Sequence, residues 1–291
     1  MNTINTGTYS SVWRNKYRSA KMQSVLRKAL IAEKICEVDR SNSFYIHNPY
    51  SNQPTASVAA VDGSYSVTAW TTTEDTLTVT DEVTYGEHIY DFERLLAHFD
   101  MFATRTDEQA FAVATAIDKW VLNCMLDGAT STYSTPAGGF TTSANVAVII
   151  SNLISKVSGY ADIYRGLFLI IENTDLPGIL QASASSGFSF ADAALNNGYV
   201  TSFMGVDIHV VRTETFVDAT TTTVSGSKTW TNLGHRLFGV KNVVTYAQPG
   251  GLRFEEKGVT LKTGVEFVTY GYVGIKVWTQ KAALLVDITL V

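Results

Sequence analysis

The sequence predicts an α+β fold, from one long helical pattern, one strand-pair pattern and a strand-rich carboxyl end. Residues 106–127 repeat apolar side chains at helical spacing. Residues 64–82 contain two runs in which Thr or Ser alternates with larger side chains, which is typical of a β-hairpin. From residue 233 onward, short apolar runs are separated by glycine, which indicates strands.

The helix predicted over 106–127 has signals at both ends. Thr106-Asp107-Glu108-Gln109 is a capping-box sequence, in which Gln109 can reach back to the cap. Gly128 stands where a carboxyl-terminal cap belongs. At a rise of about 1.5 Å per residue, this helix would be about 30 Å long, enough to act as a spine.

The hairpin is predicted from strands at 65–70 and 76–80, joined by a turn at 71–75. Both strands are rich in Thr and carry few large apolar side chains. A hairpin this polar has little of its own to bury, so it would be marginal unless it lay against another surface.

Weaker patterns complete the chain. An extended tail is predicted over 1–11, and a helix with basic residues on one face over 12–37. The remaining predictions are a loop at 129–142, a helix at 143–158, a buried strand at 167–171, a short helix at 174–182 and a surface loop at 217–229.

The composition combines many apolar residues with few charges. The 291 residues could form one large domain or two modest ones, and 45% are hydrophobic while only 17% are charged. Surfaces buried between copies of a chain are depleted in charge, so self-association fits this balance. An ordinary β-rich protein with Ser and Thr in place of charge fits it equally well.

Charge is divided unevenly along the chain. Residues 1–34 carry +6, whereas the whole chain carries −5, which leaves −11 for the rest. A basic segment on an acidic body suggests a neighbouring subunit, an acidic scaffold or nucleic acid as partner, and a solvated helix face is the alternative. The basic residues chosen as candidates are Arg14, Lys16, Arg18, Lys21, Arg27 and Lys28.

The two cysteines, Cys36 and Cys124, have no CxxC pair or histidine at metal spacing, so both are predicted to be small core residues of a chain adapted to a reducing cytoplasm. The amino terminus shows no signal-peptide pattern. The longest apolar runs, such as 167–171, are too short to span a bilayer.

Three segments, in this order, resemble HK97-type phage major capsid proteins. Residues 76–80 and 89–92 resemble the return strand of that family's extended loop. Gly198–Val211, with Gly205-Val206-Asp207-Ile208 inside it, resembles a strand of its axial domain. Gly271-Tyr272-Val273-Gly274 resembles a late strand. The resemblance covers residues 12–291 and depends on the order of the motifs more than on any one of them.

The resemblance implies a division of the chain into an arm, a loop and two domains. The predicted parts are the amino-terminal arm 1–38, the extended β-hairpin loop 39–92, the peripheral domain 93–128 and 248–276 with spine helix 106–127, and the axial α/β domain 129–247 and 277–291.

It also implies a structural protein that self-assembles into the icosahedral shell of a double-stranded DNA phage. In such a shell the hairpin lies across a neighbouring subunit, and axial loops, including 181–192, meet around the symmetry axes. The hairpin residues expected to contact the neighbour, or else to join the chain's own core, are Tyr65, Val67, Trp70, Leu77 and Val79.

The implied partners are copies of the chain in hexamers and pentamers, a separate scaffolding protein, a portal, a cement protein as a further candidate, and packaged DNA bound without sequence specificity. The implied location is the virion, with assembly in the host cytoplasm. Some members of the family crosslink through a lysine on the extended loop. This chain has no lysine between Lys34 and Lys119, so we predict no such crosslink.

Three alternatives stay open. An encapsulin-type nanocompartment shell shares the fold, and a tail or fibre protein could share the strand content. An enzyme is disfavoured because the sequence contains no GxSxG, P-loop or GxGxxG motif, and its five histidines are scattered. We therefore predict no catalytic residues, no metal and no cofactor.

Overall fold

The computed structural model describes residues 30–51, 63, 69, 71–90, 101–159, 166–185, 202–218, 229–258 and 264–291. Its helices are α1 (Ala32–Ile35), α2 (Met101–Gly128), α3 (Ser143–Val157) and α4 (Leu176–Ser185). Its strands are β1 (Glu37–Asp39), β2 (Tyr45–Ser51), β3 (Thr72–Thr78), β4 (Asp81–Ile89), β5 (Ser131–Ser134), β6 (Leu167–Glu172), β7 (Ser202–Phe203), β8 (Val206–Val211), β9 (His235–Val240), β10 (Val244–Ala247), β11 (Arg253–Gly258), β12 (Val265–Val277) and β13 (Leu285–Thr289). No described helix is long and apolar enough to cross a membrane.

The first sheet is built around β12, a single strand of 13 residues. It pairs antiparallel with β4, β11 and β10, and β1 adds parallel to β10. The late apolar runs were predicted as separate strands because glycines divide them. These glycines instead allow close packing: a Cβ at Gly274 would lie 2.7 Å from Val79 Cγ2.

The second sheet has six strands in the order β5-β13-β9-β6-β8-β7. All six residues of β6 are buried, as the apolar run at 167–171 predicts. It runs parallel to β8 and antiparallel to β9, so it lies at the centre of the sheet. Helix α3 buries a stripe that includes Val146, Ile149 and Leu153, which confirms the helix predicted over 143–158.

The spine helix α2 begins at Met101, so Thr106–Gln109 lies inside it and is not its cap. Gln109 is buried, and its Nε2 donates to Glu87 Oε2 on β4 at 2.9 Å. The carboxyl end is at Gly128 as predicted, where a Cβ would meet Val277 Cγ2 at 2.6 Å. With 28 residues, the helix is about 42 Å long.

Helix α2 joins the two sheets into one hydrophobic core. Trp120 and Val121 belong to the same cluster as Val273 of the first sheet and Leu237 of the second. Asn123 of α2 is fully buried. Its Nδ2 donates a hydrogen bond to Thr215 O, in the segment that follows β8, at 2.8 Å. The domain bounds stay a prediction. Strand β10 lies in the predicted axial range, but it pairs with β12, nearly all of which lies in the predicted peripheral range.

The hairpin differs from its prediction. Strand β3 pairs antiparallel with β2, over the register Tyr45↔Thr78 to Ser51↔Thr72. Residues 72–75, predicted as part of the turn, are therefore in a strand, and the partner strand lies at 45–51. The other predicted strand, 65–70, falls almost wholly outside the described residues.

In the described part of the helix predicted over 12–37, only Ala32–Ile35 are helical, because residues 30 and 31 precede α1. Helix α1 stops at Ile35, and Glu37–Asp39 form β1, which pairs with Thr245–Ala247. Residues 1–29 are outside the described part of the chain. Pairing with a sheet edge thus overrides the helical pattern at its carboxyl end.

Candidate subunit interface

The hairpin is attached to the body through a small apolar cluster. Its buried members are Leu77, Val79, Ala247 and Trp278, and Ile46 and Tyr272 pack against them. Trp278 also donates from Nε1 to Thr245 Oγ1 at 2.9 Å. The cluster holds the base of the hairpin on the first sheet near the end of β12.

Two residues predicted to contact a neighbouring subunit lie in this cluster. Leu77 is 1% exposed and Val79 is 7% exposed. This burial corrects the prediction in favour of its alternative, that they belong to the chain's own core. Tyr65, Val67 and Trp70 lie outside the described residues, so their contact role stays a prediction.

A polar contact fixes the hairpin next to this cluster. Asp75 accepts a hydrogen bond from Thr279 N at 3.1 Å and from Thr279 Oγ1 at 2.9 Å, and it lies 2.9 Å from Lys276 Nζ. Burial raises the pKa of Asp75, but the hydrogen bonds from Lys276 and Thr279 outweigh it, so the pKa is below its ordinary value. The carboxylate therefore stays charged at neutral pH.

We expect Asp75→Asn to lower the free energy of unfolding by about 1 kcal/mol, because it removes a charge-assisted contact that is only partly buried. The lowered pKa means that this contribution is present at neutral pH and lost as the pH falls below the ordinary value of 3.8. Urea unfolding at pH 7 measures the difference. Glu74→Gln, on the exposed side of β3, is the control, and an equal effect of the two would contradict the assignment.

Beyond its anchored base, the hairpin is exposed. Thr72, Thr73 and Glu74 are exposed there, and within the base Tyr45, which pairs with Thr78, is 64% exposed. Phe44 is 43% exposed and touches Tyr272 edge-on, with ring centroids 5.5 Å apart. Sequence patterns missed this surface because Pro49 argues against a strand at 45–51, although the aromatic and β-branched residues Phe44-Tyr45-Ile46 were a usable signal.

A second attachment lies where the amino-terminal segment meets the spine. Asp118 of α2 accepts hydrogen bonds from the backbone N–H groups of Ile31 and Ala32, each at 3.0 Å. It thereby caps the start of α1 from another helix. Burial raises the pKa of Asp118 to about 6, although the two N–H groups and the charge of Lys34 oppose the shift.

Asp118 should make stability depend on pH. Its pKa of about 6 in the folded chain exceeds the ordinary value of 3.8, so the folded chain binds this proton more tightly than the unfolded chain. Its contribution is then fully present below about pH 4 and is lost as the pH rises through about 6. We expect Asp118→Asn to remove this loss, which amounts to up to about 3 kcal/mol. Urea unfolding at pH 4 and pH 7.5 tests it, with Glu37→Gln as control; an unchanged pH dependence in Asp118→Asn would contradict it.

The basic residues chosen from the sequence, which run from Arg14 to Lys28, lie outside the described residues, and their role stays a prediction. The chain enters the described region at Leu30, which is fully buried, next to the Asp118 contact. The contact with Asp118 therefore fixes the point at which the segment carrying the basic residues joins the described chain. No sequence pattern indicated this role for Asp118.

A buried ion cluster lies at the carboxyl end of β6 in the second sheet. Arg236 lies 2.5 Å from Asp175 Oδ2 through its Nε and 3.1 Å from Glu172 Oε2 through Nη2. All three side chains are at least nine-tenths buried. The cluster fixes the turn that begins α4, whose carboxyl end reaches the predicted axial loop at 181–192; residues 186–192 are outside the described part.

In the part of the chain that the structure describes, no group of three or more His, Cys, Asp or Glu is placed to hold a metal ion. Burial and the charge of Lys241 lower the pKa of His209 to about 4, so its imidazole is neutral. Cys36 is buried, and its Sγ lies 3.8 Å from Met125 Sδ, while Cys124 is half-buried.

No protein-family model matches the sequence, and no curated protein matches it. Solved structures are similar in fold. The capsid structure of the cyanophage P-SCSP1u aligns at a TM-score of 0.67 and 16% identity, over 90% of this chain and 88% of that one. A structure of Mycobacterium phage Che8 aligns at 0.63 and 16% identity, over 84% of each chain. A virus-like particle from Pyrococcus furiosus aligns at 0.61 and 10% identity, over 94% of this chain and 99% of that one.

These alignments cover nearly the whole of each partner, so they concern the complete arrangement of helices and sheets and not one shared motif. At 10–16% identity they establish the fold alone. They confirm the α+β, HK97-like fold that the order of the three sequence segments predicts.

Proposed function

We propose that this chain is the major capsid protein of a double-stranded DNA phage and that its copies assemble into a closed icosahedral shell. The observation that carries the proposal is a whole-chain similarity to a phage capsid structure, combined with a hairpin that is anchored at its base and exposed beyond it. A projecting hairpin has little to bury on its own and gains order from a neighbouring surface.

In such a shell, the buried contacts described above would fix the positions of the exposed segments that meet neighbouring subunits. The Trp278 cluster and Asp75 set the direction of the hairpin, Asp118 sets the origin of the basic segment, and the Arg236 cluster sets the start of α4. Each contact repeats by symmetry, so weak individual interfaces add up to a stable particle.

The remaining partners follow from the same proposal. The +6 charge of residues 1–34 suits electrostatic, sequence-independent contact with packaged DNA. A separate scaffolding protein, a portal and a cement protein would complete the particle, which would assemble in the host cytoplasm. The role is structural, without a catalytic site.

The encapsulin-type shell is the second candidate, because the chain also aligns over 94% of its length with a virus-like particle. The material enclosed in the assembled particles distinguishes the two candidates. Particles that contain nuclease-protected DNA in infected cells support the phage capsid, whereas particles filled with a cargo protein support the encapsulin-type shell.

Negative-stain microscopy of the protein, expressed alone and with its scaffolding protein, tests the proposal. We expect closed isometric particles or rings of five and six subunits. Uniform particles without such symmetry, or dispersed single molecules under every condition, would contradict it.

A further inference from the structure

The hairpin has two outer edges, and the structure distinguishes them. We propose that a strand of a second copy of this chain adds to the outer edge of β3 and not to the outer edge of β2. The inference rests on the proposed shell function and names the part of the hairpin that carries the contact.

The direction of each backbone group follows from the register. Val79 N donates to Phe44 O at 2.9 Å, which makes Phe44 and Val79 a hydrogen-bonded pair. Hydrogen-bonded and non-hydrogen-bonded pairs alternate along an antiparallel ladder. The pairs Tyr45↔Thr78, His47↔Thr76 and Pro49↔Glu74 are therefore non-hydrogen-bonded, and their backbone groups point outward from the hairpin.

The outer edge of β2 is blocked at two of these three positions. Ser43 Oγ accepts from Tyr45 N at 3.2 Å and donates to Tyr45 O at 2.6 Å, so both outward groups of Tyr45 are already engaged. Pro49 has no N–H to donate. Edges blunted in this way resist pairing with another strand.

In the described part of the chain, no strand covers the outer edge of β3 over the same length. Its outward positions Glu74, Thr76 and Thr78 all have an N–H, and none is proline. Among the described strands, β3 pairs with β2 alone. Glu74 and Thr78 are exposed, and Thr76 is half-buried. Threonine favours strands, so the edge suits the addition of a further strand.

Charge favours another copy of the chain as the occupant. Strands β2 and β3 carry two acidic residues, Glu74 and Asp75, and no lysine or arginine, whereas residues 1–34 carry +6. The acidic hairpin of one copy and the basic segment of another therefore attract each other, while two hairpins repel. A second copy supplies both the opposite charge and a backbone strand.

Proline substitutions at directly opposed positions test the choice of edge. Thr76→Pro and His47→Pro each remove one outward N–H and leave the inward hydrogen bonds of the hairpin intact. We expect Thr76→Pro to raise the protein concentration needed for assembly at least about tenfold, because each copy loses a backbone hydrogen bond at a contact that repeats. We expect His47→Pro to assemble like the unmodified protein. Equal effects of the two would overturn the inference.

Hydrogen exchange on the unmodified protein gives an answer that does not depend on the folding of a variant. On assembly, the amides of Glu74, Thr76 and Thr78 should exchange more slowly, while those of Tyr45 and His47 should not. Slowing confined to β2, or no slowing on either strand, would overturn the edge assignment. If the unmodified protein forms no particles at all, the proposed shell function fails instead.

Discussion

Replacing Arg236 with methionine is expected to lower the free energy of unfolding by about 3–5 kcal/mol. The substitution keeps an unbranched side chain of similar length but leaves the carboxylates of Glu172 and Asp175 buried without their cation. Removing one partner from a buried ion pair has a cost of this size, because the remaining charge is neither solvated nor compensated.

Lys241→Met is the matched control for Arg236→Met. Lys241 pairs with Asp207 in the same sheet, but the Asp207 side chain is 43% exposed. Water can solvate the remaining carboxylate, so the expected loss is below about 1 kcal/mol. Urea unfolding of both variants measures the contrast. A loss below about 1 kcal/mol for Arg236→Met would show that the cluster does not stabilise the fold in the way described.

Trp278→Ala is expected to have the second large effect, about 3–5 kcal/mol in the free energy of unfolding. Trp278 is 4% exposed, packs with Leu77 and Val79, and donates to Thr245. Its loss would leave a cavity beneath the base of the hairpin. Under the proposed function, the hairpin would also lose its direction, and assembly should fail even at temperatures where the variant is folded.

Trp278→Phe separates packing from hydrogen bonding. It retains most of the apolar contact and removes only the bond to Thr245, so the expected loss is about 1 kcal/mol. Assembly should persist. If Trp278→Ala assembled as well as Trp278→Phe, the cluster would not be what orients the hairpin.

Sequence patterns predicted those elements whose local pattern and tertiary environment agree. Helix α3 and strand β6 are found within one residue of their predicted ends. Both have apolar positions that match the face they bury, so period and burial point to the same structure. The end of α2 at Gly128 was equally clear from its cap signal.

The hairpin register was not accessible to the same method. Thr-rich alternation between residues 64 and 80 fits several registers, because few of its side chains are large enough to select one face. The true partner of β3 contains Pro49, which argues against a strand unless its nitrogen is known to point outward. That direction depends on pairing with β3, so no local pattern reveals it.

The attachment of the amino-terminal segment was also hidden from sequence. Asp118 is one polar residue in the amphipathic pattern of a long helix. Nothing near it in the sequence identifies its partner Ile31, which is 87 residues away. Contacts of this kind depend on tertiary packing alone. The same holds for Arg236 and Asp175, which are brought together only by the strand order of the second sheet.

Sedimentation velocity of the purified protein, with its scaffolding protein present and absent, tests the central claim most directly. A shell protein should yield a sharp, fast boundary of closed particles with masses in the megadalton range, many times the 31.8 kDa of one chain. Trp278→Ala should lack this boundary and Trp278→Phe should keep it. A single boundary at the mass of one chain under every condition would contradict the account.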